Sequence, residues 1–137
     1  MADVLADDEV LYRRVVRSYL PADGDPPSNL AFRPNREDTD GISFYRAKHR
    51  TPVEIATPSR GGAESQFVGV LRAGDVRAIV GELIVDPADP GHVTAPQLNW
   101  NNRRDQIQEE WQVRLGTEAC KEVVDPSETP PRRVWQQ

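Results

Sequence analysis

Cysteine occurs once, at Cys120, which excludes an internal disulfide and any zinc cluster built on cysteines. Histidine occurs twice, at His49 and His92, without an HxxxH pair or a CxxC to accompany it, so no metal is expected. The acidic run REDTDG lacks the alternating ligand positions and closing glutamate of a calcium loop. SRGGAES has neither a lysine followed by Ser or Thr nor GxGxxG spacing, and no GxSxG occurs, so neither a phosphate-cradling loop nor a serine-hydrolase elbow is recognisable. No cofactor is expected. Long apolar runs are missing too. Nothing approaches the roughly 18 apolar residues of a membrane span. The opening MADVLADDEV lacks the basic start and apolar run of a signal peptide, and a cytoplasmic setting is the natural expectation.

Positive charge is scarce and unevenly placed. The net charge is −5, yet residues 30–60 carry six basic against four acidic side chains, net +2. A general attraction to nucleic acid is disfavoured, whereas a focused anion site is not.

The sequence that is present fits one small domain of mixed class. In DDEVLYRRVVRSYL, Leu11, Tyr12, Val15, Val16 and Tyr19 recur at helical spacing, with Asp7 and Asp8 available as caps. That favours a helix over residues 8–20, although the β-branched and aromatic content also permits a strand. GISFYRA alternates: Ile42, Phe44 and Arg46 face one way, Ser43, Tyr45 and Ala47 the other, as in a strand fed by the turn DTDG. TPVE is a capping-box pattern for a short helix beginning near Thr51 and limited by Pro58 and Gly61-Gly62.

Phe67–Leu71 and Val76–Val85 are apolar runs flanking RAGD, and they read as a central hairpin at about 67–85, with Gly81 as a bulge. HVTA suggests a further short strand. Ile107, Trp111, Leu115, Ala119 and Val123 form an apolar stripe, so a C-terminal helix packing on the sheet is expected. Cys120 falls in this pattern as a buried thiol. The expected architecture is therefore α+β: a small, mainly antiparallel sheet packed by a C-terminal amphipathic helix. Residues 1–124 would form the compact domain and 125–137 a flexible tail, unless Trp135 docks.

LYRR, SNLAFRP, DGISFYR and GHVTAPQLN, between Leu11 and Asn99, loosely resemble motifs of short uncharacterised bacterial proteins. The resemblance implies a bacterial cytosolic protein with one α+β domain and carries no activity or site residues.

Three functional readings follow from the residues. The first is an interaction or accessory module that docks an acidic protein partner through Arg33, Tyr45, Arg46, Lys48, His49 and Arg50, with Tyr45 or Phe32 as the apolar anchor. Its rival is that the arginines merely pair with Glu37, Asp38 and Asp40, contacts worth about 0–1 kcal/mol each when exposed. The second is a small enzyme acting on an anionic, nucleotide-like substrate. Arg33, Arg46 and Arg50 would hold the anion, and His92 with Glu82 would move protons. The third is single-strand nucleic-acid binding through Phe32, Phe44 and Tyr45 on a sheet face, the weakest given the charge. Asp86 and Asp89, in a proline-rich turn, read as turn residues.

Overall fold

The computed structural model describes residues 4–22, 24–57 and 65–137. Seven antiparallel strands form one sheet: β1 (Val10–Val15), β2 (Ile42–Arg46), β3 (Phe67–Arg72), β4 (Ile84–Asp86), β5 (Asp89–Ala95), β6 (Glu122–Asp125) and β7 (Arg132–Gln136). Their spatial order is β4-β5-β2-β1-β3-β6-β7. Among the described residues three α-helices accompany them: α1 (Pro52–Ala56), α2 (Ala73–Val80) and α3 (Gln106–Arg114), the last running into a π-helical turn at Leu115–Ala119. The class is α+β with a C-terminal helix, as expected.

One face of the sheet carries the main core. Leu11, Val15, Ile42, Phe44, Leu71 and Val93 pack there against Phe32, Val76, Leu98 and Leu115. On the other face α1 sets Ile55 and Ala56 over Val68, Tyr12 and Tyr45. Thr51 accepts from the Glu54 N–H at 3.3 Å and Glu54 Oε1 from the Thr51 N–H at 3.1 Å, the expected capping box. Pro58 and Gly61-Gly62 lie outside the described residues.

Residues 8–20 correct the helical expectation. Val10–Val15 is a strand in the middle of the sheet, hydrogen-bonded to β2 and β3, and only Arg17–Tyr19 makes a 3₁₀ turn. Two flanking strands reward the extended form of a segment rich in valine, and this tertiary pairing outweighs the helical spacing.

The hairpin expected at 67–85 is also absent. Both edges of β3 are occupied, by β1 and β6, so the chain has no free partner when it leaves Arg72. It turns into α2 instead, burying Ala73, Val76, Ile79 and Val80 on one face. Among the described residues no side chain caps this helix. The Ala73 N–H donates to the Glu9 carbonyl at 2.9 Å and the Gly74 N–H to the Asp7 carbonyl at 2.8 Å. Gly81 is not a bulge but the helix stop, at φ 91°, with its N–H donating to the Arg77 carbonyl. A hairpin forms just after this region instead, joining β4 and β5 around Pro87-Ala88.

The α3 stripe is shifted in phase. Gln108, Gln112 and Leu115 are buried, whereas Ile107 is 46 % exposed. The wide turn at Leu115–Ala119 breaks the four-residue repeat, and Val123 passes into β6. Cys120 is buried in the core, and burial pushes its thiol up to about 12. The expected flexible tail is folded back: Arg132–Gln136 pairs with β6, and the Trp135 indole N–H donates to the Gly24 carbonyl at 3.1 Å. An apolar indole with a satisfied donor is what docks it.

Candidate functional site

Strand alternation sorts the basic segment before any surface can form. Arg46 follows Ile42 and Phe44 to the core side and is fully buried. Its guanidinium bonds both Glu9 carboxylate oxygens and donates to the Pro90 carbonyl at 3.1 Å. Arg50 donates to both oxygens of Asp89, at 2.7 and 2.6 Å. Lys48 is exposed, with its ammonium 3.8 Å from Glu9, and His49 is exposed on the same turn. Phe32 and Phe44 are fully buried, so neither serves as an anchor or as a base-stacking platform. Of the two anchors expected for docking, Tyr45 is left, and the nucleic-acid reading keeps only Tyr45 of its three aromatic side chains. Arg46, Arg50 and Arg33 do not share a site: Arg46 is buried on Glu9, Arg50 is held by Asp89, and of the three only Arg33 lines the cleft described next. Arg46 also faces the opposite side of the sheet from His92.

Arg33 and Tyr45 do meet, at a cavity of about 700 Å³ between the β1–β2 region and the segment Leu30–Asp38. The ladder between β1 and β2 stops after Leu11↔Arg46 and Tyr12↔Tyr45. Arg13 fills the gap beyond it, donating to the Ala31 carbonyl at 3.0 Å and the Ser43 carbonyl at 2.9 Å. Burial lowers the pKa of this guanidinium from its ordinary value, and the charge of Asp38 opposes that shift. Arg14 donates from Nε to the Ile55 carbonyl at 2.7 Å and also borders the cavity. Arg33 and Arg36 stand exposed on the wall, with no side-chain hydrogen bond or ion pair to any described residue.

Among the described residues, none of the acids expected to neutralise them, Glu37, Asp38 and Asp40, forms an ion pair with Arg33 or Arg36. Asp38 accepts from the Asn35 N–H at 2.8 Å, and Glu37 donates its own N–H to Asn35 Oδ1. Tyr19, Tyr45 and Trp100 supply aromatic surface, Trp100 carrying the Arg103 guanidinium 3.7 Å from its ring centre. The cleft is thus cationic and aromatic.

His92 lies beside this cleft. Pairings Tyr45↔His92 and Ser43↔Thr94 place Ser43 and His92 diagonally on the outer face of the sheet. The Ser43 hydroxyl is 2.8 Å from His92 Nε2, and His92 Nδ1 is 3.2 Å from Asp86 Oδ2. The Tyr45 ring lies 5.6 Å from the imidazole, centre to centre. The expected carboxylate partner, Glu82, is exposed on the loop after α2; Asp86 takes that place. The Ala88 N–H and then the His92 hydrogen bond hold the Asp86 carboxyl below its usual range. Ser43 borders the cleft.

Sequence reasoning passed over Ser43 and the roles of Arg13, Arg14, Arg36, Tyr19 and Trp100. The alternation that put Ser43 beside Tyr45 was the one signal available. Among the described residues no group of three or more His, Cys, Asp or Glu side chains could hold a metal, and no helix is long and apolar enough to cross a membrane. Comparison of the chain with protein-family models, curated proteins and solved structures finds no match.

Proposed function

We propose that this protein is a docking module that seats an acidic, aromatic-bearing segment of a partner protein in the cleft between β1–β2 and Leu30–Asp38. The observation that carries this reading is the pair Arg33 and Arg36. Both are exposed on the cleft wall without a side-chain partner among the described residues, whereas Arg46 and Arg50 are consumed by Glu9 and Asp89. A guanidinium fork suits a carboxylate, and Tyr19, Tyr45 and Trp100 offer the apolar half of the contact. The surface differs from the one the sequence suggests: Arg33 and Tyr45 remain, Arg36 joins them, and Arg46 leaves.

Fluorescence anisotropy with fluorescein-labelled peptides of mixed Glu, Asp, Tyr and Trp tests the proposal. Binding is expected to weaken as salt rises. Arg33→Ala with Arg36→Ala should weaken it at least about tenfold, about 1.4 kcal/mol, while leaving the urea midpoint unchanged. Absent binding, or binding indifferent to both substitutions, would overturn the reading.

A further inference from the structure

Ser43, His92 and Asp86 come from β2, β5 and β4, and only the sheet brings them into one line. Their chemistry fixes the protons. An ionised Asp86 can only accept, so His92 Nδ1 carries the hydrogen directed at it. In the neutral ring Nε2 is then the bare nitrogen, and it accepts from the Ser43 hydroxyl 2.8 Å away. The hydroxyl, which borders the cleft, thus faces a base that is itself oriented by a carboxylate. His92 and Asp86 retain 26 % and 34 % of their side-chain exposure, so the line is neither sealed in the core nor loose in solvent.

We propose that Ser43 is a nucleophile activated by His92, with Asp86 as the positioning residue, and that the protein hydrolyses carboxylic esters whose acyl part carries a negative charge. The preference for a charged acyl group rests on the cleft reading above, because Arg33 and Arg36 are the groups that would hold it. In the first half, Ser43 Oγ bonds to the ester carbonyl carbon and its proton passes to His92 Nε2. The carbon–oxygen bond to the alcohol then breaks, and the departing oxygen takes that proton. In the second half, water gives a proton to His92 and attacks the acyl-serine. Ser43 leaves with the proton restored, so one ester and one water give one acid and one alcohol. Asp86 holds the imidazole tautomer throughout.

A fluorophosphonate probe with intact-mass and peptide mapping tests the nucleophile, and p-nitrophenyl succinate against p-nitrophenyl acetate tests the substrate class. Phosphonylation at Ser43 is expected, absent in Ser43→Ala and slowed at least about 100-fold in His92→Gln. Asp86→Asn should slow it at pH 7 and displace its pH profile, a change that loss of a structural contact alone would not produce. The succinate should be preferred, with the preference lost in Arg33→Ala/Arg36→Ala. All variants are to be compared at equal folded fraction by circular dichroism. No labelling above the heat-denatured control, or labelling unchanged in His92→Gln, would overturn the relay. Equal rates on the two esters would overturn the substrate class. Labelling at Ser43 without peptide binding would remove the docking reading and leave the relay standing; peptide binding without labelling does the reverse.

Discussion

One carboxylate holds the Arg46 guanidinium at two points: Nε lies 2.5 Å from Glu9 Oε1 and Nη2 lies 3.0 Å from Oε2. The arginine is fully buried and the Glu9 side chain is 10 % exposed. The pair ties the residue before β1 to the end of β2, and the carbonyl of the same Glu9 receives the first N–H of α2.

Removing one partner of a buried pair leaves the other charge uncompensated. Arg46→Ala is therefore expected to destabilise the fold by about 3–5 kcal/mol. Urea unfolding monitored by tryptophan fluorescence reads this directly. A loss below about 1 kcal/mol would show that Glu9 and Arg46 are solvated, against the burial found here.

Acid should weaken the protein through two carboxylates. Burial pushes Glu9 up, but the Arg46 hydrogen bond and the charges of Arg46 and Lys48 outweigh it, and the net shift is downward from 4.5. Asp125 behaves alike: burial raises it, while hydrogen bonds from Ser127 and Arg17 bring it below 3.8. Each folded pKa is thus depressed relative to the unfolded chain. The stabilisation is complete above the unfolded values and is lost as pH falls through the folded ones. The urea midpoint should hold constant from pH 7 to about 5.5 and fall below about pH 4.5. Glu9→Gln should flatten part of that fall.

Trp135 makes the C-terminal segment a structural strand. It is 8 % exposed and reaches the Gly24 carbonyl through its indole N–H. Trp135→Ala should cost about 3–5 kcal/mol and open the segment after Pro126 to protease. Limited proteolysis with mass mapping distinguishes a docked strand from a tail that was loose from the start.

Gln108 presents the opposite case. It is 2 % exposed, and its side-chain oxygen is buried without a hydrogen-bond partner among the described residues. Such an atom costs about 1–3 kcal/mol. Gln108→Leu, of similar volume, should raise the thermal midpoint, by about 2–4 °C for each kcal/mol gained in a chain of this length. An unchanged or lower midpoint would mean that the glutamine contributes more than its unmade bond costs.

Local chemistry was legible wherever a few adjacent residues set the outcome. The alternation of Ile42 to Arg46 already placed Tyr45 and Ser43 on one side and Arg46 on the other. Thr51, Pro52 and Glu54 specify a helix start by themselves, because cap and carboxylate satisfy N–H groups within one turn. The buried thiol of Cys120 and the turn around Pro87-Ala88 were equally local readings.

Where the partners lie far along the chain, tertiary structure decided. Val10–Val15 became a strand because β2 and β3 flank it, and Ala73–Val80 became a helix because β3 had no edge left and distant carbonyls could start the turn. The same holds for the site. The sequence determined that residues 30–60 would be basic and singled out His92 as a candidate proton carrier. Only the folded sheet decided that Arg46 would be spent on Glu9, that Arg33 and Arg36 would remain at the cleft, and that Asp86 and Ser43 would flank His92. Hydrogen bonds reach about 3 Å, and strand register is what brings residues 49 positions apart within that distance.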